Sequence, residues 1–235
     1  MTEQELAAAH QIPTHEGVLR AMTKIADILP KTPLLPLEVD GVTIWCKAEM
    51  LQPIGAFKIR GAWHRLSDLN EDERARGVVG VSSGNHAQGV AWAAKRLGIS
   101  ATIVMPSNAP RMKLEATKAL GANVVLYDRA TESREVVAAG LIAQSGATLV
   151  HAFGDPWVIE GQGTAGIEIT QQLHDFGLSG PNLIVACCGG GGLASGLALA
   201  CPDADIAIVE PEGWDDIIRS LDAGEILPVK DLTHP

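Results

Sequence analysis

Val78-Val79-Gly80-Val81-Ser82-Ser83-Gly84-Asn85-His86 is an apolar run that breaks into a small, polar turn. Apolar residues then recur at helical spacing as far as Leu97, and Gly98 stands where a left-handed residue would end a helix. This stretch predicts a strand over 78–81 and a helix over 85–97. The alternation continues downstream. Ala101–Met105 reads as a strand, Arg111–Leu120 as a helix closed by Gly121, and Val124–Tyr127 as a strand. Ser133–Gln144 reads as a helix and Thr148–His151 as a strand. Strands and helices joined by short loops imply right-handed crossovers and a parallel sheet, so the fold class is α/β. The strands are apolar throughout, as expected of sheets covered on both faces.

Working outward, residues 14–29 read as a helix, with Thr14 as N-cap and Val18, Met22, Ile25 and Ile28 on one face. Pro30, Pro33 and Pro36 end it and impose an extended segment; Val42–Cys46 reads as a strand. Asn70–Arg76 is a charged run, read as a solvated turn. Beyond residue 153 come a helix over Val158–Leu173, a strand over Leu183–Cys188, a short helix over Leu193–Leu199 and a strand over Ile206–Val209.

Composition narrows the function classes. A chain of 235 residues allows one large domain or two small ones. The formal net charge of −10 argues against nonspecific nucleic-acid binding. No apolar run approaches the roughly 20 residues of a membrane span. Met1 to His10 lacks the basic start and apolar stretch of a secretory signal, so a cytoplasmic location is expected. Cys46, Cys187, Cys188 and Cys201 contain no Cys-x-x-Cys pair, and buried free thiols are expected rather than zinc ligands or disulfides.

Three runs carry chemistry. Gly189-Gly190-Gly191-Gly192-Leu193 follows a strand and opens a helix. It is a tight turn at the least, but its backbone can approach a phosphate closely, and the helix N-terminus adds donors. No Walker lysine follows, which disfavours a nucleotide P-loop. Ser82-Ser83-Gly84-Asn85-His86 also lies between a strand and a helix; it could simply cap, or its amides and the Ser83 hydroxyl could cradle a carboxylate. Lys58 follows Ala56-Phe57 and precedes Ile59, apolar neighbours that can desolvate an amine which would otherwise be an ordinary surface charge. His86 is a possible base or a packing residue, while His64 and His151 show no ligand spacing. Glu210-Pro211-Glu212-Gly213-Trp214-Asp215-Asp216 is either an acidic surface loop or an oxygen-ligand site for Mg2+ or Ca2+. An amine, an anion-binding turn and a phosphate-sized glycine loop together suit an enzyme that holds pyridoxal 5'-phosphate covalently.

These residues resemble the fold-type II pyridoxal-phosphate enzymes, tryptophan synthase beta-like in fold, in the branch of threonine/serine dehydratases and serine racemases. Phe57-Lys58-Ile59-Arg60-Gly61-Ala62 is similar to that branch's lysine motif, Ser83-Gly84-Asn85-His86 to its substrate-carboxylate turn, and Gly189–Leu193 to its phosphate loop. Gly161-Gln162-Gly163-Thr164 matches a further run of the branch. The resemblance implies Lys58 and Ser83 as catalytic residues. It implies Phe57, Lys58, Asn85, Gly189, Gly190, Gly191, Gly192 and Leu193 as cofactor-binding, and Ser83, Gly84, Asn85 and His86 at the substrate carboxylate. Glu210, Asp216 and the Trp214 carbonyl match the branch's cation site. Two domains are implied: a smaller mobile one over 54–153 and a larger one over 1–53 and 154–235. The implied substrate is a small hydroxy amino acid, converted to a 2-oxo acid and ammonia. Serine racemisation, hydroxyaspartate dehydration or racemisation, and a noncatalytic cofactor-binding fragment are the alternatives. Relatives continue past the point matching Asp231–Pro235, so a C-terminally truncated large domain is expected, with a homodimer expected of a complete chain.

Overall fold

In the computed structural model, which describes residues 12–228, Thr14 starts the first helix as the sequence predicts. Its hydroxyl accepts from the Gly17 amide at 3.0 Å and opens α1 (His15–Ile25). The helix stops well short of residue 29. The amides of both Ile28 and Leu29 turn back to the Ile25 carbonyl, a tightened exit ahead of Pro30.

Next comes an element the parallel-sheet expectation did not contain. β1 (Leu34–Val39) and β2 (Val42–Lys47) form an antiparallel hairpin across Asp40-Gly41, whose φ values are 50° and 78°. Asp-Gly is the sequence signal for such a turn, because both central residues must take positive φ. After a 3-10 turn at Glu49–Leu51 comes α2 (Lys58–Ser67), a helix that periodicity did not reveal. The charged run is not a turn but α3 (Glu71–Arg76). Asn70 accepts from the Glu73 amide while Glu73 accepts from the Asn70 amide, a reciprocal cap written in Asn-x-x-Glu.

The regular stretch folds as read, with boundaries within two residues. β3 (Val78–Val81), α4 (Asn85–Leu97), β4 (Ala101–Pro106), α5 (Arg111–Ala119), β5 (Asn123–Tyr127), α6 (Arg134–Ser145) and β6 (Thr148–Val150) follow in order. The strands form one parallel sheet in the order β5-β4-β3-β6. Ile103 and Met105 of β4 pack with Ile59, Leu66, Ala87 and Val90 on one face. Val79, Val104, Tyr127 and Ala138 pack together on the other. The central strands are therefore apolar on both sides because both sides are covered.

α7 (Pro156–Asp175), β7 (Leu183–Cys187), α8 (Gly192–Ala200), β8 (Asp205–Val209) and α9 (Asp216–Ala223) complete the described chain. β7 and β8 pair in parallel. Here cover is one-sided: Leu183 and Val185 are 57% and 62% exposed, while Ile184 and Ala186 pack towards Ala165 and Leu197. The cysteines differ from expectation too. Cys188 and Cys201 are buried, but Cys46 and Cys187 are exposed, and all four are free. Among the described residues no helix is long and apolar enough to cross a membrane. The expectations placed on Met1–His10 and on Asp231–Pro235 lie outside the described residues.

α7 is the spine of the molecule. A Cβ on Gly161 would lie 2.5 Å from the Gly61 Cα in α2, and one on Gly163 would lie 2.5 Å from the Gly196 carbonyl oxygen in α8. The Gly161-Gln162-Gly163-Thr164 run thus lets two helices approach α7 backbone to backbone.

Candidate functional site

Lys58 is the first residue of α2. Its amine donates to the Ala152 carbonyl oxygen at 2.7 Å and lies 5.2 Å from the centre of the Phe57 ring. Burial pulls its pKa from 10.5 down to about 8, and the nearby Cys187 thiol opposes that shift. A neutral amine is thus far more accessible here than on an ordinary lysine, which is what attack on an aldehyde requires. The α4 backbone presses against it: a Cβ on Gly89 would sit 3.1 Å from the Lys58 carbonyl oxygen.

Two residues on, Arg60 is fully buried. It binds both Glu49 oxygens at 2.7 Å, both Glu168 oxygens at 2.8 Å and the Thr164 hydroxyl at 3.1 Å. Lys47 adds a second cation, 2.6 Å from Glu168. Two cations and two carboxylates balance, so the buried cluster is neutral. It ties β2, the turn before Lys58, α2 and α7 into one unit. The sequence showed Arg60 inside the lysine motif but gave no sign of its partners, which are up to 108 residues away.

The glycine loop lies between β7 and α8. Gly191 has φ +80°, and a Cβ on Gly189 or Gly191 would meet nothing within 4 Å. Gly192 begins α8, so the first-turn amides from Gly192 to Ala194 have no partner within the helix. Leu193 is half-buried beside them. Open space, bare backbone and a helix N-terminus fit a phosphate.

The Ser82–His86 turn joins β3 to α4. Ser82 accepts from the Gly84 amide at 3.1 Å, which shapes the turn. Ser83 and Gly84 are half-buried and Asn85 is exposed. The His86 ring is buried and taken up by structure: its Nε2 donates to the Val150 carbonyl at 2.9 Å. Burial first, and the Lys58 charge second, push its pKa down to about 3, so it stays neutral and is no proton acceptor at ordinary pH. Its backbone amide is what remains for a carboxylate. Periodicity missed Lys113, whose amine would lie 3.2 Å from a Cβ on Gly84 and adds positive charge beside the turn.

Among the described residues no three His, Cys, Asp or Glu side chains are grouped to hold a metal ion. Glu210 is occupied as a helix cap, accepting from the amides of Ile217 and Ile218 at 3.1 and 2.9 Å. Asp216 is the first residue of the same helix, and Trp214 is half-buried in the preceding loop.

Lys58 and the glycine loop both touch the turn after β6. Several known proteins are similar to this chain. L-threo-3-hydroxyaspartate ammonia-lyase of Saccharomyces cerevisiae is 39% identical over 226 residues, covering 93% of this chain and 68% of that protein. L-threonine ammonia-lyase of Thermotoga maritima is 42% identical, covering 90% of this chain and 53% of that protein. The structure of maize serine racemase superposes with a TM-score of 0.87 at 37% identity, over 94% of this chain and 68% of that one. The family described as pyridoxal-phosphate dependent enzyme matches residues 25–234, and the chain belongs to that family.

Proposed function

We propose that this chain carries the active site of a pyridoxal-phosphate-dependent ammonia-lyase. The substrate is a 3-hydroxy amino acid, and the products are a 2-oxo acid and ammonia. The observation that carries the reading is the half-buried Lys58 amine, its pKa lowered to about 8, on the Ala152 carbonyl next to the Phe153 that lies against the glycine loop. The cofactor supplies an electron sink for the α-carbon. Lys58 would hold the cofactor through its aldehyde, and its free amine would serve as the base at the substrate α-carbon. The backbone of Gly189–Gly192 and Leu193 would hold the phosphate, Phe57 flanks the amine, and Asn85 would bind the cofactor ring. Ser83, Gly84, Asn85 and the His86 amide hold the substrate carboxylate, with Lys113 adding charge. Residues 54–153 act as the smaller domain against a larger one built from 1–53 and 154–235, and the protein works as a cytoplasmic homodimer.

Racemisation is favoured by one feature, the Ser83 hydroxyl at the turn, which can carry a proton on the face opposite Lys58. A divalent cation at Glu210 and Asp216 would have to displace two amide hydrogen bonds, and a chelator-sensitive melting temperature is its test.

The deciding experiment treats the protein with pyridoxal phosphate and borohydride and maps the adduct by mass. Ammonia and D-amino acid are then measured from L-threonine, L-serine and 3-hydroxyaspartate. An adduct on Lys58 with ammonia release is the expected result. An adduct on another lysine, or none, refutes the reading.

A further inference from the structure

The turn Val150–Gly154 joins the two halves of the site. Lys58 donates to the Ala152 carbonyl at 2.7 Å. One residue on, Phe153 lies against the glycine loop. A Cβ on Gly190 would overlap its ring, and one on Gly192 would come within 2.9 Å of its Cα. The shape of the turn comes from the His151 ring. Its Nδ1 accepts from the Gly154 amide at 2.9 Å and, more weakly, from the Phe153 amide at 3.4 Å. Gly154 permits this approach, since a Cβ there would crowd Nδ1 at 3.1 Å. The near end is fastened by the bond from His86 to the Val150 carbonyl.

We propose that His151 is a positioning residue. It holds the 151–154 turn so that the Ala152 carbonyl receives the Lys58 amine whenever that amine is free, while Phe153 braces the glycine loop. The importance of the turn rests on Lys58 being the cofactor lysine, but the contact between turn and amine does not. The physical consequence is dryness. Because water is kept from the amine, its neutral form becomes populated near pH 8 instead of near 10.5. The titratable groups set around it are Cys187 from β7 and His86 from α4, with His151 beyond His86. A loosened turn admits water, and water restores the charged form.

The test compares His151→Ala with His151→Asn in the intact protein. An asparagine side-chain oxygen can accept from amides two and three residues on, the Phe153 and Gly154 amides that Nδ1 takes. The first readout is the pH profile of Lys58 acetylation in the cofactor-free protein, mapped to its peptide. The second is affinity for pyridoxal phosphate by fluorescence, and melting temperature controls for folding. His151→Ala is expected to raise the Lys58 midpoint by about one pH unit, so that Lys58 labels about tenfold less near neutrality. Its affinity for pyridoxal phosphate is expected to fall about tenfold, and His151→Asn is expected to restore both to within about twofold. An unshifted profile in folded His151→Ala overturns the proposal, as does equal damage from both variants. Should His151→Ala fail to fold, Gly154→Ala disturbs the same contact, and an unshifted profile there overturns it equally. Borohydride trapping on Lys58 of the parent is scored separately. A shifted profile without trapping supports the turn and refutes the cofactor reading; trapping with an unshifted profile does the reverse.

Discussion

Lys58→Met should make the cofactor-free protein more stable at neutral pH, although it removes the proposed cofactor lysine. The folded pKa of about 8 lies below the ordinary 10.5 because the charged amine is desolvated. Below pH 8 the lysine is protonated in both states, and folding bears the whole cost of burying the charge. Between about 8 and 10.5 the folded protein sheds its proton while the unfolded chain keeps it, so stability rises with pH. Above 10.5 both states are neutral and the cost is gone. A shift of about 2.5 units corresponds to about 3 kcal/mol. Met fills the same volume without a charge, and losing the bond to Ala152 takes back about 1 kcal/mol. The net gain is about 2 kcal/mol at pH 7. By pH 10 the charge burden itself has fallen below about 1 kcal/mol, so the gain should vanish there. Urea unfolding of parent and variant at pH 7 and pH 10 measures both figures. A variant no more stable than the parent at pH 7, or a gain that persists unchanged at pH 10, would refute the desolvation argument.

Two further outcomes follow from packing. Arg60→Met leaves Glu49 and Glu168 buried without their shared cation and should cost about 3–5 kcal/mol, read as a lower urea midpoint; a loss below about 1 kcal/mol would mean the cluster is not coupled to the fold. Gly161→Ala and Gly140→Ala should change stability in opposite directions. The first sets a methyl against the α2 backbone at 2.5 Å and should cost about 1–3 kcal/mol. The second meets nothing within 4 Å in α6 and should gain up to about 1 kcal/mol from helix propensity; thermal melts that moved the same way would contradict both.

Much of this protein was legible before folding. Apolar runs of four to six residues bounded by turns named each strand of the parallel sheet, since strands covered on both faces need no polar residues. Gly98 and Gly121, both at positive φ, marked helix ends because few other residues tolerate that conformation. The glycine loop, the polar turn and the lysine with apolar neighbours were visible as local chemistry. α3 was misread although its reciprocal cap was spelled out in Asn70 and Glu73, because charge density masked the signal. α2 was missed because Lys58–Ser67 is buried on nearly every side, which erases the apolar stripe that periodicity needs.

The sequence by itself determined what is local: the strand-helix alternation, the caps, the turn chemistry and the identity of the reactive groups. The tertiary structure alone decided what depends on distant residues. It set Glu168 against Arg60, brought Phe153 over Gly190, and bonded the His86 ring to the Val150 carbonyl. It also left one face of β7 open while the central sheet was covered on both. The low pKa of Lys58 belongs to this second group. An amine loses its charge through the water that neighbouring elements exclude, and the residue that receives this amine, Ala152, lies 94 residues along the chain.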